Sequence, residues 1–395
     1  MAEFIPPLKD SSSRPSERFF NRVLYGFVRR LVRLSHVLVR DSPSETRAKN
    51  RRAQREQALR TIIGELSARG FLDVRDVDSA TRPTIRLIPT GSSVNVAIIP
   101  EGARNRALVL KFTDAAAASV ELTTSSHVQE ELRADPRLSS WSSHIPQIVT
   151  SGQIGTTTFS IEQCLSSRDG RAVAQDPVAA NLLISGALAE IDAFHRVTAS
   201  RRQVDAQVLA AIVDRPIEVL RENTSPGPFH LRARSIDRLA SWLRQSLLGF
   251  NLGIGWVHGD FHLGNVIIDD RSNRVTGVID WGRAEADGLT VLDGFTLIVL
   301  ERARSADEDI GSFVLNLLRS DKLSPENRAY SEALSELAAL LSPESNLDLR
   351  SLLMLTWLKH VTNNLKNEER TRSHGLWMLR TVDLVLWGAG ATVGY

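Results

Sequence analysis

From about Ser16 to Arg40, Phe20, Leu24, Phe27, Leu31, Leu34 and Leu38 recur at three- and four-residue steps, which predicts an amphipathic helix. Arg22, Arg29, Arg33, His36 and Arg40 fall on its opposite side. A second helix is expected from about Ser44 to Arg69. It opens on a Ser42-x-x-Glu45 cap, with Ser44 nearby, and stops before Gly70. Near Arg82 the period shortens. TIRLIP, VAIIP and ALVLKF read as three strands, parted by the turn segments TGSSVN and EGARNR. A helix follows around Ser125–Leu132, then short strands near Gln147–Val149 and Thr156–Glu162. After Cys164 the apolar spacing is helical, best at Asn181–His195 and Ile236–Leu248, and again from Ser324 to the end. The exception is a compact block, Trp256–Trp281, with two short apolar strands around a turn. No internal repeat is visible.

Composition narrows the class. With 395 residues, 42% hydrophobic and 24% charged, the chain can bury a sizeable core and form two or three domains. A net charge of +2 gives no global argument for nucleic acid. The charge is uneven, however: residues 1–60 carry 14 basic and 6 acidic side chains. The first helix is expected to dock on its own protein, with an anionic membrane surface or a partner as the alternative. The run RAKNRRAQR reads as a solvated face of the second helix, and no nucleic-acid partner is expected. Cys164 is the sole cysteine, which excludes an intrachain disulfide and any multi-cysteine metal site. That favours a reducing, cytoplasmic setting. Residues 1–17, rich in Ser, Pro and charge, are expected to form an arm. No stretch approaches about 20 uninterrupted apolar residues.

The chemistry concentrates in GWVHGDFHLGNVIIDDRSNRVTGVIDW. It presents His258, Asp260 and His262, then Asn265 before an apolar strand, and Asp280 at the end of a second strand. Two strands joined by a turn would bring Asn265 and Asp280 to neighbouring ends of a hairpin. Two carboxylates and an amide oxygen on one rim suit a divalent, oxygen-seeking ion that carries phosphates. Asp260 and Asn265 are five positions apart with Asp280 following, the spacing used in kinase-type phosphoryl transfer.

HGDFHLGN with IDW resembles the aminoglycoside phosphotransferase and choline kinase family, whose pattern is HGD-x-x-x-x-N followed by ID-W/F. The likeness runs from about residue 82 to 300. ALVLKF resembles the strand that bears the phosphate-binding lysine, which implies that role for Lys111. EELRADPRLSSWSSHIPQIVTSGQIGTTTFSIEQCLSS resembles the helix that supplies the lysine's partner, then the following strands and the hinge. The partner would be Glu130 or Glu131, with Glu131 chosen from its spacing to Leu138 and Pro146. The hinge Glu162–Cys164 would hold adenine through its backbone. LAEIDAFHRV resembles the helix before the catalytic loop, and ADGLTVLDGFTL a segment with a structural aspartate, Asp293. Where the family has a glycine-rich loop this chain has only TGSSVN, so phosphate cover would rest on Gly91 and the N–H groups of Ser92 and Ser93. Leu263 and Thr290 or Leu289 stand where the family has proline.

The resemblance implies a two-lobed, protein-kinase-like α+β fold: a basic helical extension (1–81), a nucleotide-binding small lobe (82–164) and a helical large lobe (165–395). It implies transfer of the γ-phosphoryl group of ATP, with Mg²⁺, to a hydroxyl of a small molecule such as an aminoglycoside, sugar or amino alcohol. Asp260 would be the catalytic base, Asn265 and Asp280 the metal ligands. His258 and His262 are expected to brace the loop. HGD lacks the Arg of HRD and no A-P-E follows, so a peptide acceptor is not expected. Glu285, Asp287, Glu301, Asp307, Glu308 and Asp309 could line a pocket for a cationic acceptor. Two other readings use the same residues. One is an inactive scaffold acting through its N-terminal helices. The other is a zinc-dependent hydrolase built on the alternating His258, Asp260 and His262.

Overall fold

The computed structural model describes residues 45–71, 85–88, 94–99, 107–165, 168–174, 176–224, 231–269, 271–319, 328–341, 347–365 and 377–393. Gly91, Ser92 and Ser93, the turn EGARNR and the first expected helix lie outside these residues.

The three expected strands are β1 (Arg86–Ile88), β2 (Asn95–Ile99) and β3 (Leu108–Thr113). With β4 (Ile148–Ile154) and β5 (Thr157–Gln163) they form one antiparallel sheet in the order β1-β2-β3-β5-β4. Alternation along the strands sorts side chains to two faces. Ala97, Ile99, Leu110, Phe112, Phe159 and Ile161 share one of them. That face is covered by α1 (Glu45–Ala68), whose Leu59, Ile62, Ile63 and Leu66 follow the helical repeat and are buried against the sheet. Gly70 ends the helix at φ +74°, with the Gly70 and Phe71 N–H groups donating to the Ser67 and Leu66 carbonyls. The helix thus stops within a residue of its sequence expectation, whereas the expected cap at Ser42 or Ser44 lies outside the described residues. Its apolar stripe completes the core of the small lobe.

The other face carries Lys111, Ser160 and Glu162 and packs against α2 (Ala116–Ala134). This helix also meets the turn after Asp280, where Arg283 pairs with Glu121 at 3.2 Å.

The large lobe is mostly helical, around a core that includes Phe194, Phe261, Trp281, Phe295 and Trp357. Its principal helices are α3 (Pro177–Thr198), α4 (Arg215–Glu222), α5 (Leu231–Leu247), α6 (Val291–Ser305), α7 (Ile310–Leu318), α8 (Arg328–Ala339), α9 (Leu349–Leu365) and α10 (Leu384–Val393). Asp176 caps α3, accepting from the Val178 and Ala179 N–H groups, with Pro177 at the first helical position. By length and composition α3 could cross a membrane. Its Leu183, Ile184, Ala187, Ile191 and Phe194 are instead buried in the protein core.

Two small sheets hold the chemistry-bearing block. One is β10-β9-β6, from β6 (Arg168–Asp169), β9 (Val266–Ile268) and β10 (Val275–Val278). The other is β11-β8-β7, from β7 (Ser200–Gln203), β8 (Asn251–Val257) and β11 (Glu285–Leu289). Sequence pattern foretold β9 and β10 but not β6, β7 or β11.

Candidate functional site

The loop from His258 to Asn265 leaves β8 through Gly259 at φ +77°. A Cβ on this glycine would stand 2.2 Å from the Arg283 carbonyl oxygen, so no other residue fits without moving backbone. The loop is held from below by Asp293 on α6, 1% exposed. Its carboxylate accepts from the His258 N–H at 2.8 Å and the Gly259 N–H at 3.0 Å, and meets His195 Nε2 at 3.0 Å. Burial alone would raise the Asp293 pKa. The hydrogen bond and charge of His195, with the contribution of His258, more than offset this and hold it below the usual carboxylate range. From above, Asn363 Nδ2 on α9 donates to the Gly259 carbonyl at 3.1 Å.

His258 is fully buried. Its Nδ1 accepts from the Asp260 N–H at 3.3 Å and its Nε2 reaches the Ile279 carbonyl at 2.8 Å, fixing the neutral tautomer with the proton on Nε2. The ring therefore ties the residue before Asp280 to the loop that carries Asp260. His262 Nδ1 accepts from the Gly264 N–H at 3.0 Å. Burial, then the neighbouring Arg171, lowers the His262 pKa to about 4. The loop's Leu263 N–H donates at 3.1 Å to Glu301, itself paired with Arg304 at 2.6 Å. These bonds occupy the histidines in bracing. Among the described residues no group of three His, Cys, Asp or Glu could hold a metal, so the zinc-hydrolase arrangement of His258, Asp260 and His262 is not formed.

Asn265 and Asp280 flank the β9–β10 pair, whose register opposes Val266 to Val278. The Ile279 N–H donates to the Asn265 carbonyl at 2.9 Å, so Asn265 lies beside the residue that precedes Asp280. Asn265 Nδ2 donates to the Asp260 carbonyl at 2.9 Å, which leaves its Oδ1 as the acceptor end. Asp280 takes the left-handed conformation, φ +69° and ψ +59°, an unusual choice for a residue with a Cβ. The next residue, Trp281, fully buried, anchors this turn by donating from Nε1 to the Val278 carbonyl. It packs on His258 at a ring separation of 4.8 Å.

Lys111 faces this rim from the small lobe. Burial pulls its pKa down, but the Glu162 carboxylate and then Asp280 more than reverse that, leaving it raised and the ammonium charged. The charge of Asp280 is thus felt at Lys111. The partner of Lys111 differs from the sequence expectation: its Nζ is 2.8 Å from Glu162 Oε1. Glu131 and Glu130 lie on the exposed side of α2. The buried helix position is Gln129, whose Nε2 approaches Glu162 Oε2 at 3.4 Å and Ser125 Oγ at 3.2 Å. A one-residue shift turns a helix by about 100°, which is enough to carry both glutamates off the face.

At the expected hinge two backbone donors are already engaged. The Gln163 and Cys164 N–H groups donate to the Gln147 and Ala107 carbonyls, both at 2.9 Å, so neither is open to a ligand. At Glu162 the side chain enters the site. Cys164 is half-buried, and burial, then Glu162, raises its thiol pKa.

The six acidic candidates scatter. Glu285 pairs with Lys359, Asp287 with Arg202, and Glu301 with Arg304. Asp307, Glu308 and Asp309 do share a cavity of about 460 Å³ with Arg304 and His360. Glu308 there bonds Tyr330 and Asn316, and Asp309 caps α7 through Ser312.

Several roles that shape the site went unread in the sequence: Glu162 as an ion-pair partner, Gln129 and Asn363 as donors, and Glu301, expected in an acceptor pocket, as a brace of the loop. Each acts across 33 to 104 residues of chain.

No curated protein matches the chain. Among solved structures, an aminoglycoside-3'-phosphotransferase of type VIII is 20% identical, over 70% of this chain and 96% of its own, with a TM-score of 0.41. The aminoglycoside phosphotransferase APH(3'')-Id from Streptomyces rimosus is 16% identical, over 76% and 98%, with a TM-score of 0.43. A Plasmodium vivax ethanolamine kinase is 11% identical, over 80% and 83%, with a TM-score of 0.40. Residues 84–289, just over half of the chain and including every described residue of the cleft except the bracing side chains of α6 and α9, match the family model for the phosphotransferase enzyme family, and the chain belongs to that family.

Proposed function

We propose that the protein transfers the γ-phosphoryl group of ATP to a hydroxyl of a small molecule, with Mg²⁺ bound between the nucleotide and the large-lobe rim. One observation supports this reading: the β9–β10 pair, the His258 ring and the Asn265 amide tie together the segments that bear Asp260, Asn265 and Asp280, and the charge of Asp280 is felt at the buried Lys111.

The donor set fits magnesium. The Asn265 Oδ1 and the Asp280 carboxylate are hard oxygen donors, and two protein ligands suffice when phosphates and water complete the shell. When bound, the ion would neutralise charge on the phosphates. The residues do the rest. Lys111, kept charged in a buried setting, would hold the non-transferred phosphates as a point charge. Asp260 would orient the acceptor hydroxyl and take its proton. The acceptor oxygen forms a bond to the γ-phosphorus as the bond to the bridging oxygen breaks. Its electron pair leaves with ADP, and the products are a phosphate monoester, ADP and a proton. Most of the acceleration would come from positioning and charge neutralisation.

The test is incubation of the purified protein with Mg-ATP and a panel of hydroxylated metabolites and antibiotics. ADP release and the mass gain of one phosphoryl group are followed. Asp260→Asn should lower turnover by about 10²- to 10⁴-fold while nucleotide binding persists. Undiminished turnover in that variant would remove Asp260 from the role. Nucleotide binding by the wild-type protein with no acceptor turned over would favour the scaffold reading instead.

A further inference from the structure

We propose that Glu162 is the positioning residue for Lys111, in place of a carboxylate on α2, and that Gln129 couples α2 to the pair only through a hydrogen bond from an uncharged side chain. This deepens the proposed function and rests on it.

The argument begins with register. Lys111 on β3 opposes Ser160 on β5, and Val109 opposes Glu162. Residues two apart on a strand share a face, so Lys111 and Glu162 are diagonal neighbours across two bonded strands, a separation that long side chains span. Nζ and Oε1 meet at 2.8 Å, with the Lys111 side chain 12% exposed and that of Glu162 4%. A buried ammonium without a counter-charge would be strongly unfavourable, and so would the buried carboxylate alone. Within the small lobe each supplies what the other needs.

On α2 the positions that face the pair are Ser125 and Gln129, one turn apart and both buried. Neither carries a charge. Gln129 Nε2 serves both Ser125 Oγ and Glu162 Oε2, at 3.2 and 3.4 Å, while Gln129 Oε1 is buried with no hydrogen-bond partner. Where a kinase lysine is paired from a helix, its poise follows the position of that helix. Here both members of the pair sit on one hydrogen-bonded sheet. Lys111 is held in place by the β3–β5 ladder, and a shift of α2 costs the pair one long hydrogen bond and no ion pair.

The experiment compares Glu162→Gln, Glu131→Ala and the double variant Glu162→Gln, Gln129→Glu with the wild-type full chain. Thermal melts report folding. Mg-ATP affinity is measured by calorimetry, and the KM for ATP and kcat by ADP release with an acceptor found in the panel above. Labelling of Lys111 by an acyl-phosphate derivative of ATP gives a readout of the lysine itself. Glu162→Gln is expected to weaken Mg-ATP binding and raise KM by about tenfold or more while melting cooperatively, because one buried charge partner is lost. Its Lys111 labelling should fall in parallel. Glu131→Ala should stay within about twofold of wild type on every measure, as an exposed charge does. Returning a carboxylate from the helix in the double variant should recover much of the affinity, which a purely structural role for Glu162 would not allow. Wild-type binding with equal binding and labelling in Glu162→Gln, or a loss in Glu131→Ala as large as in Glu162→Gln, overturns the inference. Failure of the wild-type protein to bind Mg-ATP at all overturns instead the functional reading on which it stands.

Discussion

The two walls of the cleft are built by different means. On the large-lobe side Asp260, Asn265 and Asp280 come from one stretch of 21 residues, folded on itself by the β9–β10 pair and pinned by a buried carboxylate, Asp293. On the small-lobe side Lys111 and Glu162 are 51 positions apart and meet only because β3 and β5 pair in one register. The first wall is specified by short-range sequence and stiffened by long-range contacts. The second is specified by long-range register alone. Substitutions should therefore hurt the first wall through its braces and the second through its sheet and the helix behind it.

The largest effect on folding is expected from Asp293→Ala. It strands the buried His258 N–H and the half-buried Gly259 N–H and leaves His195 without its partner, and should cost about 3–5 kcal/mol in denaturant titrations. Asp293→Asn keeps an acceptor and should cost clearly less. If the two variants are equal, the charge and not the hydrogen bonding does the bracing. On the small-lobe side, Leu66→Ala opens a void between α1 and the sheet and should cost about 2–5 kcal/mol, read in the same titrations. A lobe that melts separately in this variant would show that the two walls are independent folding units.

Acid should act on the first wall more than the second. The folded chain holds the His262 pKa at about 4, whereas the unfolded chain takes a proton near 6.5. Below pH 6.5 the unfolded state binds more protons, so stability falls as pH drops toward 4, by up to a few kcal/mol, and this contribution then levels off. Asp293, lowered from its ordinary value, adds stability above about pH 3.9 that is lost as pH falls through its folded pKa. His262→Asn retains an acceptor for the Gly264 N–H and should flatten the upper part of this loss, from 6.5 to 4, in melts at a series of pH values. The smallest effect is expected from Asp176→Ala, which removes the cap of α3 remote from both walls and should cost about 1 kcal/mol.

Much of the first wall was legible in the sequence because its spacing is local. The turn between β9 and β10 was equally so: Asp269 accepts from the Arg271 and Ser272 N–H groups, as an Asp opening a turn does. The strands that escaped notice had little apolar content to announce them. Arg168–Asp169, Ser200–Gln203 and Glu285–Leu289 are held by their neighbours' backbones and not by a hydrophobic period of their own. The partner of Lys111 was missed for a related reason. A helix reading that errs by one or two residues moves a side chain from the buried face to solvent, and no spacing within α2 reveals which strand residue waits opposite. The existence and the C-terminal end of α1 were foretold, since its capping glycine is local. What its stripe would cover was not, because that depends on a sheet whose last strand ends about 100 residues later.

The roof formed by α1 bears on how this protein can be dissected. The segment that matches the family begins at residue 84, after that helix has ended. A fragment cut at that boundary would keep every residue named in the phosphoryl-transfer proposal, yet expose the oily underside of Ala97, Ile99, Leu110, Phe112, Phe159 and Ile161 to water. Such a fragment is expected to clump or misfold, so here the smallest piece that resembles its kin is smaller than the smallest piece that can stand alone.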